Sequence, residues 1–183
     1  MARFNMNKTP DNPQVQELYR EIAEYGLQGV EEGTPLNTWT VLADRSDLLQ
    51  GLWGLTKSVV ISGSLPPTVK QMIAMTIAMQ NNCRYCTVAH THALEAMGVP
   101  TDVVKSCAAD PDLADIPPSQ RAILKFALKT TRDPRSVTDE DFQALQRHGL
   151  SDGEIMEVIM MAAWSDLLNT FTDVTQVPVD GEE

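Results

Sequence analysis

The sequence predicts an all-α protein, and three observations carry that prediction. β-branched residues rarely alternate with polar ones over more than four positions, so half-buried strands leave no signature. Apolar residues instead recur at i, i+3 and i+4 along most of the chain. Asn, Ser, Thr or Pro precede these runs and Gly or Pro follow them, the residues that start and stop helices. With 183 residues, 43% of them hydrophobic, the chain is long enough to bury its own core. A single domain over residues 1–183 is expected, with its core at 35–172.

Local residues justify each element in turn. Residues 13–26 carry Val15, Leu18, Tyr19 and Ile22 on one stripe, and Gly26 ends it. Asn37 is expected to cap a short helix over 37–44. A helix over 46–61 runs through Leu48, Leu49, Leu52, Trp53 and Leu55 and stops before Gly63. Pro66 and Pro67 open the next helix, 67–81, where proline fits a first turn. This segment is apolar on nearly every side, through Met72, Ile73, Met75, Ile77 and Met79, and so belongs in a core or a subunit interface.

Another helix is expected from about Cys83 to Met97, broken by Gly98 and Pro100. A short helix over 101–108 leads to an acidic linker at 109–116. Helix 117–132 carries Ile123, Leu124, Phe126, Ala127 and Leu128. Thr138 with Asp139, Glu140 and Asp141 starts helix 138–148, which Gly149 ends. Ser151 and Glu154 form the capping-box pattern of a last helix over 151–172. Residues 176–183 are expected to fray.

Charge narrows the partners. The net charge of −11 repels phosphate backbones and anionic headgroups, so nucleic acid and acidic membrane surfaces are not expected. No apolar run approaches the roughly 20 residues that span a bilayer. The N-terminus lacks the apolar stretch of a secretory signal, and a cytoplasmic location is expected. Three cysteines are a poor disulfide framework. In a reducing compartment the Cys-x-x-Cys pair at Cys83 and Cys86 suggests redox chemistry or metal binding instead.

The chemistry concentrates in residues 81–94, where Cys83, Cys86 and His90 follow the pattern C-x-x-C-x-x-x-H. Cys83 falls at a helix start, where unpaired N–H groups favour a thiolate. Cys86 is three residues on, close enough to Cys83 for a disulfide with small adjustment. His90 lies one turn beyond Cys86, within reach for proton transfer. A structural zinc site takes a second ligand pair, which the sequence lacks, and His92 points about 200° away from His90. The cysteines could also be core filling, as Cys is often buried. Cys107 stands alone and His148 sits at a helix end; neither is expected to be catalytic. Gly51 with Gly54, and Gly29 with Gly33, lack the strand–turn–helix setting of a nucleotide site. No flavin, nicotinamide, haem or metal cofactor is expected.

At these residues the chain resembles the alkylhydroperoxidase D-like proteins of the carboxymuconolactone decarboxylase superfamily. Cys83-Arg84-Tyr85-Cys86 with His90, preceded by an apolar helix ending in Asn81-Asn82, carries the resemblance, which extends over about 35–172. It implies an all-helical, oligomeric protein, a homotrimer or homohexamer. It also implies a redox pair formed by Cys83 and Cys86, with His90 in a proton relay. The family pattern places a glutamate twelve residues before the first cysteine; here that residue is Gln71. An amide orients by hydrogen bonds but does not accept a proton as a carboxylate does. Either Glu95 or Asp166 replaces it in space, or peroxidase activity is low.

The resemblance implies reduction of hydroperoxides, or thiol–disulfide exchange, with an external thiol or dithiol as electron donor. Cys86 lies nearer His90 and Cys83 nearer the helix N-terminus, so either thiol can be the attacking one; Cys86 is taken as the activated thiol and Cys83 as its partner. Two alternatives stand beside this reading: a cofactor-free lyase of the carboxymuconolactone decarboxylase type, and a non-enzymatic helical oligomerisation module.

Overall fold

The computed structural model describes residues 2–182, apart from the side chain of residue 108. Nine α-helices follow one another among these residues: α1 (Pro13–Glu24), α2 (Asn37–Thr40), α3 (Ser46–Thr56), α4 (Pro67–Gln80), α5 (Arg84–Ala96), α6 (Thr101–Ala109), α7 (Pro118–Arg132), α8 (Asp139–Arg147) and α9 (Asp152–Thr175). No strand forms among the described residues; Gln28 and Pro35 make one isolated bridge. The chain divides into two compact units. One comprises Met1–Lys57 with Phe171–Glu183, the other Ser58–Thr170.

In the first unit, the α1 stripe of Val15, Leu18, Tyr19 and Ile22 packs with Trp39, Leu42, Ala43, Leu49 and Trp53. The Trp39 and Trp53 rings meet edge to face with centroids 5.7 Å apart, a favourable aromatic geometry. Asn37 does not cap α2. Leu36 holds the cap position, and the helix ends after Thr40, before the expected residue 44. The Asn37 amide group donates to the Pro178 carbonyl, and its backbone N–H donates to Asp180. A side chain committed to those partners has no reach left for the α2 amides. The same bonds overturn the expected frayed tail: Val177 and Val179 are buried. A three-residue Val-Pro-Val segment is too short to show a period, so its burial was not legible.

The helix expected over 46–61 changes character. α3 is α-helical to Thr56, and Lys57–Ile61 form a π-helical turn. The wide turn falls on Val59, Val60 and Ile61, a β-branched run with weak α preference. A 3₁₀ turn at Pro134–Ser136, not expected from the sequence, precedes α8.

In the second unit α4 is the central helix, with α5, α6 and α7 packed on it. Val69, Met72, Ile73, Met75 and Ile77 are all buried within the chain, while Met79 is exposed. Intrachain packing therefore accounts for a helix apolar on nearly every side. The expected capping box forms at Ser151, whose N–H donates to Glu154 at 2.8 Å, and the expected N-cap Thr138 makes a second one, its N–H donating to Asp141 at 2.7 Å. Lys70 is 1% exposed, and its ammonium donates to the carbonyls of Val59 and Ser62. It also pairs with Glu157 of α9 at 3.4 Å. Glu157 in turn accepts the N–H groups of Ser64 and Leu65 at 2.7 and 3.0 Å. One buried ion pair thus ties α4, α9 and the 59–65 segment together.

Candidate functional site

Cys83, Cys86, His90 and Gln71 all lie in the second unit, on α4, α5 and the turn between them. That turn is tightly determined. Asn81 ends α4, Asn82 takes the left-handed conformation with φ +57°, and Cys83 begins α5. The Cys83 N–H donates back to Ala78 O at 2.9 Å and the Asn82 N–H to Met79 O at 3.1 Å. This is the Schellman ending of a helix, with asparagine where glycine is commonest. Cys83 therefore closes one helix and caps the next.

As the N-cap of α5, Cys83 turns its sulfur onto the helix start: Sγ accepts the Cys86 N–H at 3.4 Å. A donor aimed at sulfur favours the thiolate over the thiol. The Cys83 carbonyl accepts both the Thr87 N–H at 3.0 Å and the Thr87 hydroxyl at 2.8 Å, which fixes the first turn. Cys83 and Cys86 are both buried. Cys107 is also a buried thiol, and burial pushes its pKa up, as suits an inert residue.

His90 lies one helical turn beyond Cys86 on α5. Its Nδ1 lies 2.7 Å from Gln71 Oε1. With a carbonyl oxygen facing it, Nδ1 carries the proton and Nε2 keeps the lone pair of a base. Trp164 of α9 packs edge to face on the imidazole, with centroids 6.3 Å apart. His90 is half-buried. Loss of hydration lowers its pKa from 6.5 to about 4, so it is neutral at pH 7.

The two carboxylates that could have replaced the missing glutamate are engaged elsewhere. Glu95 accepts the Thr101 hydroxyl at 2.9 Å, and Asp166 accepts the Asn81 side-chain amide at 2.8 Å. The partner of His90 is Gln71 itself. Trp164 was not legible as a site residue, since it lies 74 residues from His90 and no local spacing connects them. His92 and His148 are exposed. Among the described residues no three His, Cys, Asp or Glu side chains gather closely enough to hold a metal ion.

The fold is all-helical, and the comparisons agree with that fold. Residues 46–129 match the carboxymuconolactone decarboxylase family. The structure is similar to an uncharacterized peroxidase-related protein with an alkylhydroperoxidase AhpD core from Ralstonia eutropha JMP134, with TM-score 0.82 and 26% identity. That likeness covers 97% of this chain and 94% of the other. An uncharacterized peroxidase-related protein from Silicibacter sp. TM1040 has TM-score 0.86 at 21% identity, covering 99% and 93%. A debrominase in complex with 2,3,4-tribromopyrrole has TM-score 0.79 at 22% identity, covering 100% and 95%. No curated protein matches the chain. The family match and the fold support an AhpD-like member of the carboxymuconolactone decarboxylase superfamily.

Proposed function

We propose that the protein is a thiol peroxidase or disulfide oxidoreductase whose working pair is Cys83 and Cys86, with His90 as base and Gln71 as its positioning partner. The observation that carries this reading is the Cys83 sulfur held against the Cys86 amide, one turn from a neutral His90. In the cycle His90 Nε2 takes the Cys86 proton, and the Cys86 thiolate attacks the terminal oxygen of a hydroperoxide. The O–O bond breaks, an alkoxide leaves as the alcohol, and Cys86 becomes a sulfenic acid. The Cys83 thiolate then attacks that sulfur, water leaves, and a disulfide forms. An external thiol or dithiol supplies the two electrons that restore the pair.

Likeness to a debrominase favours a second reading. The same two thiols can reduce a brominated aromatic, exchanging carbon–bromine for carbon–hydrogen, with release of bromide and a proton as the disulfide forms. A homotrimer or homohexamer is part of the proposal, by analogy with the family.

The test is a count of thiols after one equivalent of tert-butyl hydroperoxide or of a bromopyrrole. Loss of two thiols with peroxide, restored by a dithiol and abolished in both Cys83→Ser and Cys86→Ser, is the expected result. Loss of two thiols with bromide release, and none with peroxide, would replace the first reading with the second. Thiols inert to both would overturn the redox assignment.

A further inference from the structure

We infer that Asp166 is a positioning residue for Cys83: its carboxylate ties down the turn that aims the Cys83 sulfur at the Cys86 amide. This deepens the proposed thiol chemistry and rests on Cys83 being part of the working pair. Asp166 Oδ1 accepts the Asn81 side-chain amide at 2.8 Å, and the bond is partly buried. Asn81 is the C-cap of α4, just before the left-handed Asn82, and Cys83 follows directly. The backbone bonds of Cys83 to Ala78 and of Asn82 to Met79 hold the turn from the α4 side. The Asp166 bond adds an anchor from a separate helix, α9. The same helix presents Trp164 to the His90 ring two residues earlier. Asp166 and Trp164 thus brace the two ends of the Cys-x-x-Cys-x-x-x-His segment from one element.

A second tie joins the same two helices, Lys70 to Glu157, but it lies eleven residues before Asn81 on α4 and touches the 59–65 segment instead. It offers a control. Cutting it weakens the α4–α9 packing without releasing the cysteine turn.

Position and charge predict opposite effects. A carboxylate close to a cysteine turn disfavours a thiolate, so loss of its charge alone would make Cys83 more reactive. Loss of the anchor would let the sulfur leave the amide and make Cys83 less reactive. Alkylation of the reduced full-length protein with iodoacetamide, followed residue by residue with mass spectrometry over pH 5–9, separates the two. Asp166→Ala is expected to slow Cys83 alkylation at pH 7 roughly three- to tenfold, the range one hydrogen bond commands. Asp166→Asn keeps an acceptor and is expected to react at the wild-type rate or faster. Glu157→Ala is expected to lower the melting temperature and leave the Cys83 profile unchanged.

An unchanged or faster rate in Asp166→Ala overturns the inference, as does equal slowing in Glu157→Ala. Should Asp166→Ala not fold, Asn81→Ala removes the same bond from the other side and carries the same expectation. Alkylation needs neither peroxide nor a bromoarene. Slowing in a protein whose thiols ignore both substrates would sustain the role of Asp166 and reject the proposed reaction.

Discussion

At His90, one hydrogen-bond partner decides which proton the ring can handle. Gln71 fixes the tautomer but adds no charge, so burial dominates and the imidazole stays neutral down to about pH 4. The unfolded chain takes that proton first, near pH 6.5. The stability contributed by a neutral His90 is therefore complete above about 6.5 and is lost as pH falls from there through 4. A shift of this size is worth roughly 1–3 kcal/mol. Gln71→Glu places a carboxylate beside Nδ1 and stabilises the imidazolium. We expect its His90 midpoint, followed by NMR of the ring protons, to rise by at least about one unit. Peroxide-driven disulfide formation is expected to rise about tenfold or more, the low side of what a competent proton relay contributes. A midpoint that stays near 4 would show that the carboxylate does not reach the ring; an unchanged rate would remove the relay from the mechanism. Cys83, Cys86 and His90 were legible in the sequence because their spacing of three and four residues follows the turns of one helix. The Gln71 contact was legible only through the family pattern. Trp164 and Asp166 were not, because tertiary packing of α9 on α4 and α5 brings them there.

Among the elements, the helices declare themselves and their junctions do not. Apolar stripes and capping boxes marked α1, α4, α5, α7, α8 and α9 close to their observed bounds, since each signal is local. The π turn at Lys57–Ile61 and the packed tail depend on partners far along the chain, so no local signal announced them. The 59–65 segment shows how such a junction is held. Gly63 has φ +101°, and a Cβ there would collide with the Glu157 carboxylate. Gly63→Ala must therefore adopt a backbone conformation disfavoured by about 1–2 kcal/mol and also displace the carboxylate bound to Ser64, Leu65 and Lys70. We expect a loss of roughly 2–4 kcal/mol in urea unfolding. Glu157→Ala in the same background should reduce the further cost of Gly63→Ala to the backbone part alone, because the colliding group is gone. Additive losses would mean that the clash is relieved by other movements and that Glu157 does not hold this turn.

For the whole molecule, charge and apolar surface compete over assembly. The sequence left α4 to a core or a subunit interface, and its Val69, Met72, Ile73, Met75 and Ile77 are spent on intrachain packing. Assembly would have to rely on other surfaces, and each subunit brings a net charge of −11 to it. Subunits of like charge repel over the Debye length, about 30 Å at 0.01 M salt and 8 Å at 0.15 M. Salt should consequently promote the trimer or hexamer that family analogy suggests. The protein is expected to sediment increasingly as the oligomer when NaCl rises from 10 to 300 mM at pH 7.5, conditions chosen to bracket those lengths. Lowering the pH towards the sequence pI of about 4.6 removes the same repulsion and should act in the same direction. Carboxylates take up protons mainly below about pH 5, where the protonation cost at His90 already opposes folding, so the gain is confined to the span in which the protein stays folded. Sedimentation as a monomer at both salt concentrations would remove assembly from the proposed function. An oligomer that dissociates as salt rises would instead point to interfaces built from paired charges.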